Sequence, residues 1–173
     1  MKGLAFAALL VFSGTAALAE TAPQTTTATY DTWQVRCQLG KTADGKDTKV
    51  CEVAQVVQIQ GQAQPLLQIA VGRQAPGAAM KFVVQTPIGA WLAKAPQILV
   101  DDKSPPIATS FKRCLPQACY AEVDFTTDLE STFASKGDTQ GAIVFQMDEG
   151  KDIRVPMSFK GFSDAYAAMK ATK

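Results

Sequence analysis

The chain of 173 residues contains no histidine. This absence excludes Ser-His-Asp and Cys-His nucleophile systems within the chain. It also removes the commonest general base at neutral pH and the commonest ligand of zinc and copper. Neither a P-loop nor a glycine-rich dinucleotide-binding motif occurs. The sequence therefore predicts a protein that has no cofactor and is not an enzyme.

Long hydrophobic runs are missing from the chain after residue 19. Before that point, Lys2 precedes an apolar stretch at residues 4–12, and Ala17-Leu18-Ala19 matches an A-x-A cleavage site. The alternative is a membrane anchor, but the apolar stretch is short for a span and small residues follow it. We expect residues 1–19 to be a Sec-type signal peptide, and the mature chain to lack a transmembrane segment. The expected location is the periplasm, the outer envelope or the medium.

Neither sign of charge dominates, with 17 Lys and Arg against 16 Asp and Glu. This balance argues against nucleic acid as a partner and against binding to anionic lipid by bulk charge. Residues 20–29, ETAPQTTTAT, lack hydrophobic periodicity, which is typical of a flexible leader. We expect residues 30–173 to form one ordered domain.

Hydrophobic residues recur mainly at every second position, in runs separated by Gly, Pro and Asp. Trp33, Val35 and Cys37 share one face of TWQVRC, so Trp33 is expected in the core. This pattern predicts an all-β fold, an antiparallel sandwich or barrel. Residues 86–96, TPIGAWLAKAP, are expected to cross between sheets, and Trp91 within them is a candidate ligand or partner contact. Pro156 predicts an edge strand or bulge, since it lacks an N–H group.

Helical patterns interrupt the strands at two places. Thr127 followed by Glu130 resembles a capping box, and Leu129 and Phe133 lie four residues apart on one face. Ser163 is expected to cap a C-terminal helix. The predicted fold is therefore an all-β sandwich with one short internal helix and a C-terminal helix.

The four cysteines are an even number, which is typical of disulfides in an exported protein. Of the three possible pairings, the local one is the simplest: Cys37 with Cys51 and Cys114 with Cys119. A redox site normally has the spacing C-x-x-C at a helix N-terminus, and a four-cysteine zinc site needs two such knuckles. Neither pair has that spacing, so structural disulfides are favoured over both alternatives and no metal site is predicted.

Carboxylate pairs are the remaining candidates for catalysis, in a hydrolase of the glycosidase type. They are Asp101/Asp102, Glu122/Asp124 and Asp148/Glu149. The first and last pairs lie in turns, where acidic residues are common, and Glu122 and Asp124 are expected on the polar face of a strand. Solvated surface residues are the favoured interpretation of all three pairs.

The order of several short motifs resembles the invasion-associated locus B (IalB) family. The motifs are WQVRCQ at 33–38, CEVAQ at 51–55, IAVGR at 69–73, PIGAWL at 87–92, FKRCLPQAC at 111–119 and SFKGFSDA at 158–165. Ala118 departs from the pattern, since glycine is expected before the second cysteine of the pair. The resemblance implies an immunoglobulin-like β-sandwich in an exported bacterial envelope protein, and it supplies no catalytic residues.

Three functional hypotheses remain open at this point. The first is a non-enzymatic envelope protein that binds a protein or envelope partner, with host-cell invasion as its use in pathogens. The second is a binder of a small molecule or a glycan, with Trp91 as its platform. The third is a carboxylate-dependent hydrolase, with Glu122 and Asp124 as its best candidates.

Overall fold

In a computed structural model of the chain, the described residues form two antiparallel sheets and two helices. The structure describes residues 25–42, 44–58, 60–61, 65–147 and 150–172. The predicted signal peptide at 1–19, the leader residues 20–24 and the acidic pair Asp148/Glu149 lie outside these residues. Within the described ranges, neither helix is long and apolar enough to cross a membrane.

The first sheet has seven strands in the order β1-β2-β3-β4-β5-β9-β8. Its strands are β1 (Thr25–Tyr30), β2 (Trp33–Lys41), β3 (Asp47–Val57), β4 (Leu67–Gly72), β5 (Lys81–Thr86), β8 (Ser110–Leu115) and β9 (Ala118–Asp124). The second sheet has four strands in the order β11-β10-β6-β7. Its strands are β6 (Gln97–Leu99), β7 (Ile107–Ala108), β10 (Gln140–Gln146) and β11 (Asp152–Ser158). The all-β sandwich is confirmed.

Side-chain alternation along the strands builds the core between the sheets. Trp33, Val35 and Cys37 are buried on β2 while Gln34 and Gln38 are exposed, which confirms the predicted inner face. Trp33 is fully buried and its indole N–H donates to the carbonyl of Ser158 at 2.9 Å. The core prediction for Trp33 is therefore confirmed.

The two helices, α1 (Thr127–Ala134) and α2 (Phe162–Ala171), close the core on one side. Phe133 of α1 and Phe162 of α2 are fully buried, with ring centroids 5.3 Å apart. Phe162 also meets Trp33 edge-on at 5.0 Å. Edge-to-face contacts of this kind add to the free energy of apolar burial.

The prediction of a flexible leader over residues 20–29 is wrong for residues 25–29. These residues belong to β1, which pairs with β2 from Thr25–Gln38 to Tyr30–Trp33. The sequence shows no periodicity there because both faces of β1 are exposed and no apolar face is needed. Threonine is β-branched and suits strand geometry, so the tract pairs through its backbone.

Both predicted helix caps are also wrong, by one or two positions. Thr126, not Thr127, caps α1, and its hydroxyl accepts a hydrogen bond from the N–H of Leu129. Gly161 precedes α2 and has a φ of 84°, a left-handed conformation that favours glycine. Ser163 instead lies inside the helix, where its hydroxyl donates to the carbonyl of Ala134.

Other predicted elements agree with the structure. Residues 86–96 join β5 of the first sheet to β6 of the second, which confirms the crossover. Pro156 is exposed on β11, which is an edge strand of the second sheet. Leu129 and Phe133 are both buried on α1, as the helical spacing predicts.

Candidate interaction surface

The crossover loop that carries Trp91 is fixed at its start and at Trp91 itself. Thr86 ends β5 as a buried residue, and Gly89 turns the chain with a φ of 94°. The backbone N–H of Trp91 then donates to the carbonyl of Gln146 at 2.8 Å, which ties the loop to β10. The backbone of Trp91 is therefore anchored to the second sheet while its side chain projects from the loop.

Three large apolar side chains of this loop are exposed, and we call them the apolar crest: Ile88, Trp91 and Leu92. Their exposed fractions are 56%, 48% and 55%. Burying such side chains contributes about 25 cal/mol per Å² of apolar surface, so leaving them in water forgoes that gain. A cluster of exposed apolar residues with an aromatic member is typical of a protein-binding surface.

A second turn lies at the same end of the first sheet as the crest. Thr86 is the register partner of Cys119, and Leu115 is the partner of Ala118, so the β8–β9 turn lies beside the start of the crossover loop. Leu115 is 42% exposed and extends the apolar surface.

An uncharged cleft of about 400 Å³ lies between this turn and the first sheet. Its walls combine three prolines, Ile88 and small residues with three glutamine amides: Pro65, Gln68, Gln85, Thr86, Pro87, Ile88, Pro116, Gln117 and Ala118. Amides donate and accept hydrogen bonds without carrying charge. The cleft therefore suits a neutral polar ligand or the side chains of a partner, and Ile88 is shared with the crest.

The disulfide between Cys114 and Cys119 closes the β8–β9 turn beside this cleft. The two cysteines face each other across the antiparallel pair, so the bond fixes the turn without crossing the core. A bond at this position limits the number of conformations of the turn in the unfolded chain.

The other disulfide, between Cys37 and Cys51, lies at the opposite end of the first sheet. Cys37 is buried against the core, and the bond joins β2 to β3. No free cysteine occurs in the parts of the chain that the structure describes. The four cysteines thus form two separate structural cross-links, in the pairs favoured by their spacing.

Each candidate carboxylate that the structure describes lies beside a cation. Asp101 accepts from Lys136 Nζ at 2.6 Å, and Asp102 from Arg154 Nη2 at 3.0 Å. The ammonium group of Lys136 and the nearby backbone N–H groups hold the pKa of Asp101 well below its ordinary value.

The remaining described pair, Glu122 and Asp124, is bound by a single lysine. Lys81 Nζ lies 3.4 Å from Glu122 and 2.7 Å from Asp124. Its hydrogen bond lowers the pKa of Asp124, whereas a general acid needs a raised pKa. Among the described residues, no group of three or more acidic or cysteine side chains is arranged to hold a metal ion.

The sequence pattern indicates an exposed Trp91 but not its exposed neighbours Ile88 and Leu92. Alternation identifies outward residues only on strands, and these two lie in a loop where no period applies. The available signal is composition, because PIGAWL places three large apolar residues in a Pro- and Gly-containing stretch that cannot bury them on one face.

Comparison with known proteins gives one consistent result. The family model described as "Invasion associated locus B (IalB) protein" matches residues 33–170. Invasion protein B homologues of two Brucella abortus strains, 2308 and biovar 1 strain 9-941, are each 32% identical over 172 residues, covering 98% of this chain and 94% of theirs. The crystal structure of invasion associated protein B from Bartonella henselae has a TM-score of 0.64 at 18% identity, over 84% of this chain and 95% of that one. This last likeness concerns the fold.

Proposed function

Since the chain belongs to the invasion-associated locus B family, we propose that it is an exported, non-enzymatic bacterial envelope protein that binds a partner through the apolar crest. Export is supported by the signal-peptide pattern at residues 1–19 and by two disulfides, which persist in oxidising compartments. The partner is a protein or another component of the envelope. In a pathogen, host-cell invasion is the proposed use of this binding.

The exposure of the apolar crest is the observation that carries the proposal. Trp91 and Leu92 expose about half of their side chains on a loop that is anchored to β10. An anchored loop loses little conformational entropy when a partner covers it, so more of the burial energy contributes to affinity.

The sequence and the ion pairs together support the proposal that the protein is not an enzyme. The chain contains no histidine. The described carboxylate pairs are neutralised by lysine and arginine, and the pKa values of Asp101 and Asp124 are lowered. Such carboxylates serve surface stability better than proton transfer.

A matched pair of variants tests the crest. Affinity capture from envelope extract of the source bacterium uses the mature wild-type protein, the double variant Trp91→Ala/Leu92→Ala, and Leu39→Ala as the control. Leu39 is exposed to 48%, as is Trp91, but it lies at the opposite end of the first sheet. We expect one or more partners that are captured by wild type and Leu39→Ala and lost with the double variant. Equal capture by all three proteins would refute the crest as the binding surface.

The uncharged cleft beside the crest favours a second candidate, the binding of a neutral small molecule or glycan. Three glutamine amides supply hydrogen bonds there, and Trp91, three residues after the cleft residue Ile88, is 48% exposed. Titration with neutral oligosaccharides of the envelope should change the tryptophan fluorescence of wild type and of the Gln34→Ala control. The change should be absent in Trp91→Ala and weakened in Gln117→Ala. If none of the sugars changes the fluorescence of wild type, this candidate fails.

A further inference from the structure

A second cleft, of about 350 Å³, lies at the end of the first sheet opposite the apolar crest. The beginning of β3, the β4–β5 loop and the C-terminal part of α2 form its walls, and α1 contributes Glu130. The Cys37–Cys51 disulfide lies against it through Cys51. Nothing in the proposed function uses this cleft.

Part of the floor of the cleft is apolar. Met80, Met169 and Cys51 line this part, whereas Lys170 Nζ covers the ring of Tyr166 at 4.6 Å from its centroid. Methionine side chains are flexible and polarisable, so they adapt to ligands of different shape. The floor therefore suits a hydrocarbon chain or ring.

The rim of the cleft is positively charged. Lys49, Arg73 and Lys170 line it, against one carboxylate, that of Glu130. Both oxygens of Glu130 are already occupied, because Lys170 Nζ lies 2.6 Å from Oε1 and the Tyr166 hydroxyl donates to Oε2 at 3.1 Å. Glu130 thus neutralises Lys170 and leaves two cations without a counter-charge.

These two cations, Lys49 and Arg73, form no ion pair with any residue that the structure describes. Arg73 Nη1 donates to the carbonyl of Ala78, and this bond holds the guanidinium in its loop. Within the described ranges, the other N–H groups of Arg73 make no hydrogen bond. Burial and then Glu130 raise the pKa of Tyr166 to about 12, while the charge of Arg73 acts in the opposite direction. Arg73 and Tyr166 thus both line the cleft, close enough for the charge of Arg73 to act on the Tyr166 hydroxyl.

We infer that this cleft binds a single amphipathic anion, with its carboxylate, sulfonate or phosphate group at Lys49 and Arg73 and its apolar body on Met80 and Met169. A guanidinium binds such oxyanions through paired N–H groups, and an ammonium adds a point charge. The cavity is of a size that holds a small molecule.

Two probes that differ only in charge test this site on the mature protein. Anilinonaphthalene sulfonate carries the anionic group, and N-phenylnaphthylamine has the same rings without it; both fluoresce when they enter an apolar site. We expect the sulfonate to bind more tightly than the neutral probe and to be displaced by decanoate but not by decanol. Equal affinity of the two probes, or binding of neither, would overturn the inference.

Variants then test whether Lys49 and Arg73 bind the anionic group of the probe. The double variant Lys49→Gln/Arg73→Gln should raise the Kd of the sulfonate about tenfold or more, the effect of losing a charged hydrogen bond, and leave that of the neutral probe unchanged. Arg73→Lys keeps the charge but loses the paired N–H groups, so it should weaken binding less than the double variant does. The control Lys112→Gln removes a cation on β8, away from the cleft, and should leave the Kd unchanged. If the double variant binds the sulfonate as wild type does, or Lys112→Gln weakens binding equally, the assignment is wrong.

Two further measurements distinguish this cleft from a lipid-surface site and from the apolar crest. The protein should not sediment with phosphatidylglycerol vesicles. If it does, if the double variant does not, and if decanoate fails to release the protein from the vesicles, the two cations bind a lipid surface. That result would contradict the inference. The crest variant Trp91→Ala/Leu92→Ala should bind the sulfonate with unchanged Kd, so the outcome at this cleft is independent of the outcome at the crest. Loss of sulfonate binding in the crest variant would show that the probe binds at the apolar crest, which contradicts the inference.

Discussion

Gln55 is a polar side chain that connects the two sheets from inside the protein. It is 5% exposed, and its amide nitrogen donates to the Thr32 hydroxyl at 2.8 Å and to the Ser158 carbonyl at 3.0 Å. Its amide oxygen accepts from the N–H of Ser158 at 3.0 Å. One side chain thus satisfies the backbone at the end of β11 and joins it to β3, where an unpaired buried group would be costly.

Replacing Gln55 with Ala should lower the free energy of unfolding by about 2–3 kcal/mol, because the N–H of Ser158 loses its acceptor. The matched control is Gln34→Ala on the neighbouring strand, where the side chain is exposed and the change should stay within about 0.5 kcal/mol. Urea unfolding followed by circular dichroism gives both values. Equal destabilisation by the two variants would contradict the role of Gln55.

The burial of a side chain can be predicted from the sequence where the alternation of its own strand decides it. Trp33 is in phase with Val35 and is buried as predicted. Gln55 occupies an inward position on β3, in phase with Val53, yet a glutamine there gives no prediction of burial. Its hydrogen-bond partner Ser158 is 103 residues away in the chain, so no local pattern reveals it.

The N-cap residue of α1 decides where that helix begins. Thr126 has an extended backbone and accepts from the N–H of Leu129, while Thr127 is already helical. Because two threonines adjoin, the sequence alone predicts a capping box between Thr127 and Glu130. Glu130 instead reaches across to α2, where it meets Tyr166 and Lys170. Tertiary contacts therefore override the local motif.

Thr126→Ala should destabilise the protein by about 1 kcal/mol, since it removes the side chain that caps the helix. Thr127→Ala should change the free energy of unfolding by less than about 0.5 kcal/mol. Thermal or urea unfolding of both variants distinguishes the two positions. A larger loss in Thr127→Ala would support the capping box that the sequence predicts.

Strand β1 cannot be detected from the hydrophobic periodicity of the sequence. Tyr30 and Trp33 flank the two-residue turn at Asp31 and Thr32, so they form a hydrogen-bonded pair. Counting back from Tyr30, every second residue of β1 forms hydrogen bonds with β2. By this alternation Ala28 bonds to β2, whereas the N–H of Thr27 points to the open edge of the sheet. An exposed edge strand needs no apolar face, and the sequence therefore resembles a flexible segment.

Two proline variants test whether β1 is a strand. Thr27→Pro removes an N–H that faces the open edge, and Ala28→Pro removes one that bonds to β2. We expect Ala28→Pro to cost about 1–3 kcal/mol more in the free energy of unfolding than Thr27→Pro. If neither proline changes stability, residues 25–29 form the flexible leader after all.

At the scale of the whole molecule, the first sheet separates two different surfaces. One end carries the apolar crest and the uncharged cleft, and the other carries the cationic cleft around Arg73. Each end has its own disulfide, Cys114–Cys119 near the crest and Cys37–Cys51 beside the cationic cleft. The cross-links thus stabilise both surfaces without joining them.

Residues from distant parts of the chain form these surfaces, which limits how much of them can be predicted from the sequence. The sandwich follows from alternation, and Trp91 follows from its place in a Pro- and Gly-containing crossover. The cationic cleft does not, because Lys49, Arg73 and Lys170 come from separate elements and share no local motif. Only the folded chain shows that their single carboxylate neighbour is already neutralised.

The central claim is that the protein acts by binding through the apolar crest, and photo-crosslinking in living cells tests it most directly. Benzoylphenylalanine in place of Trp91 is compared with benzoylphenylalanine in place of Leu39, since both positions are 48% exposed and lie at opposite ends of the first sheet. We predict a discrete crosslinked adduct of higher mass from position 91 and none from position 39. No adduct from position 91, or the same adduct from both positions at equal expression, would contradict the claim.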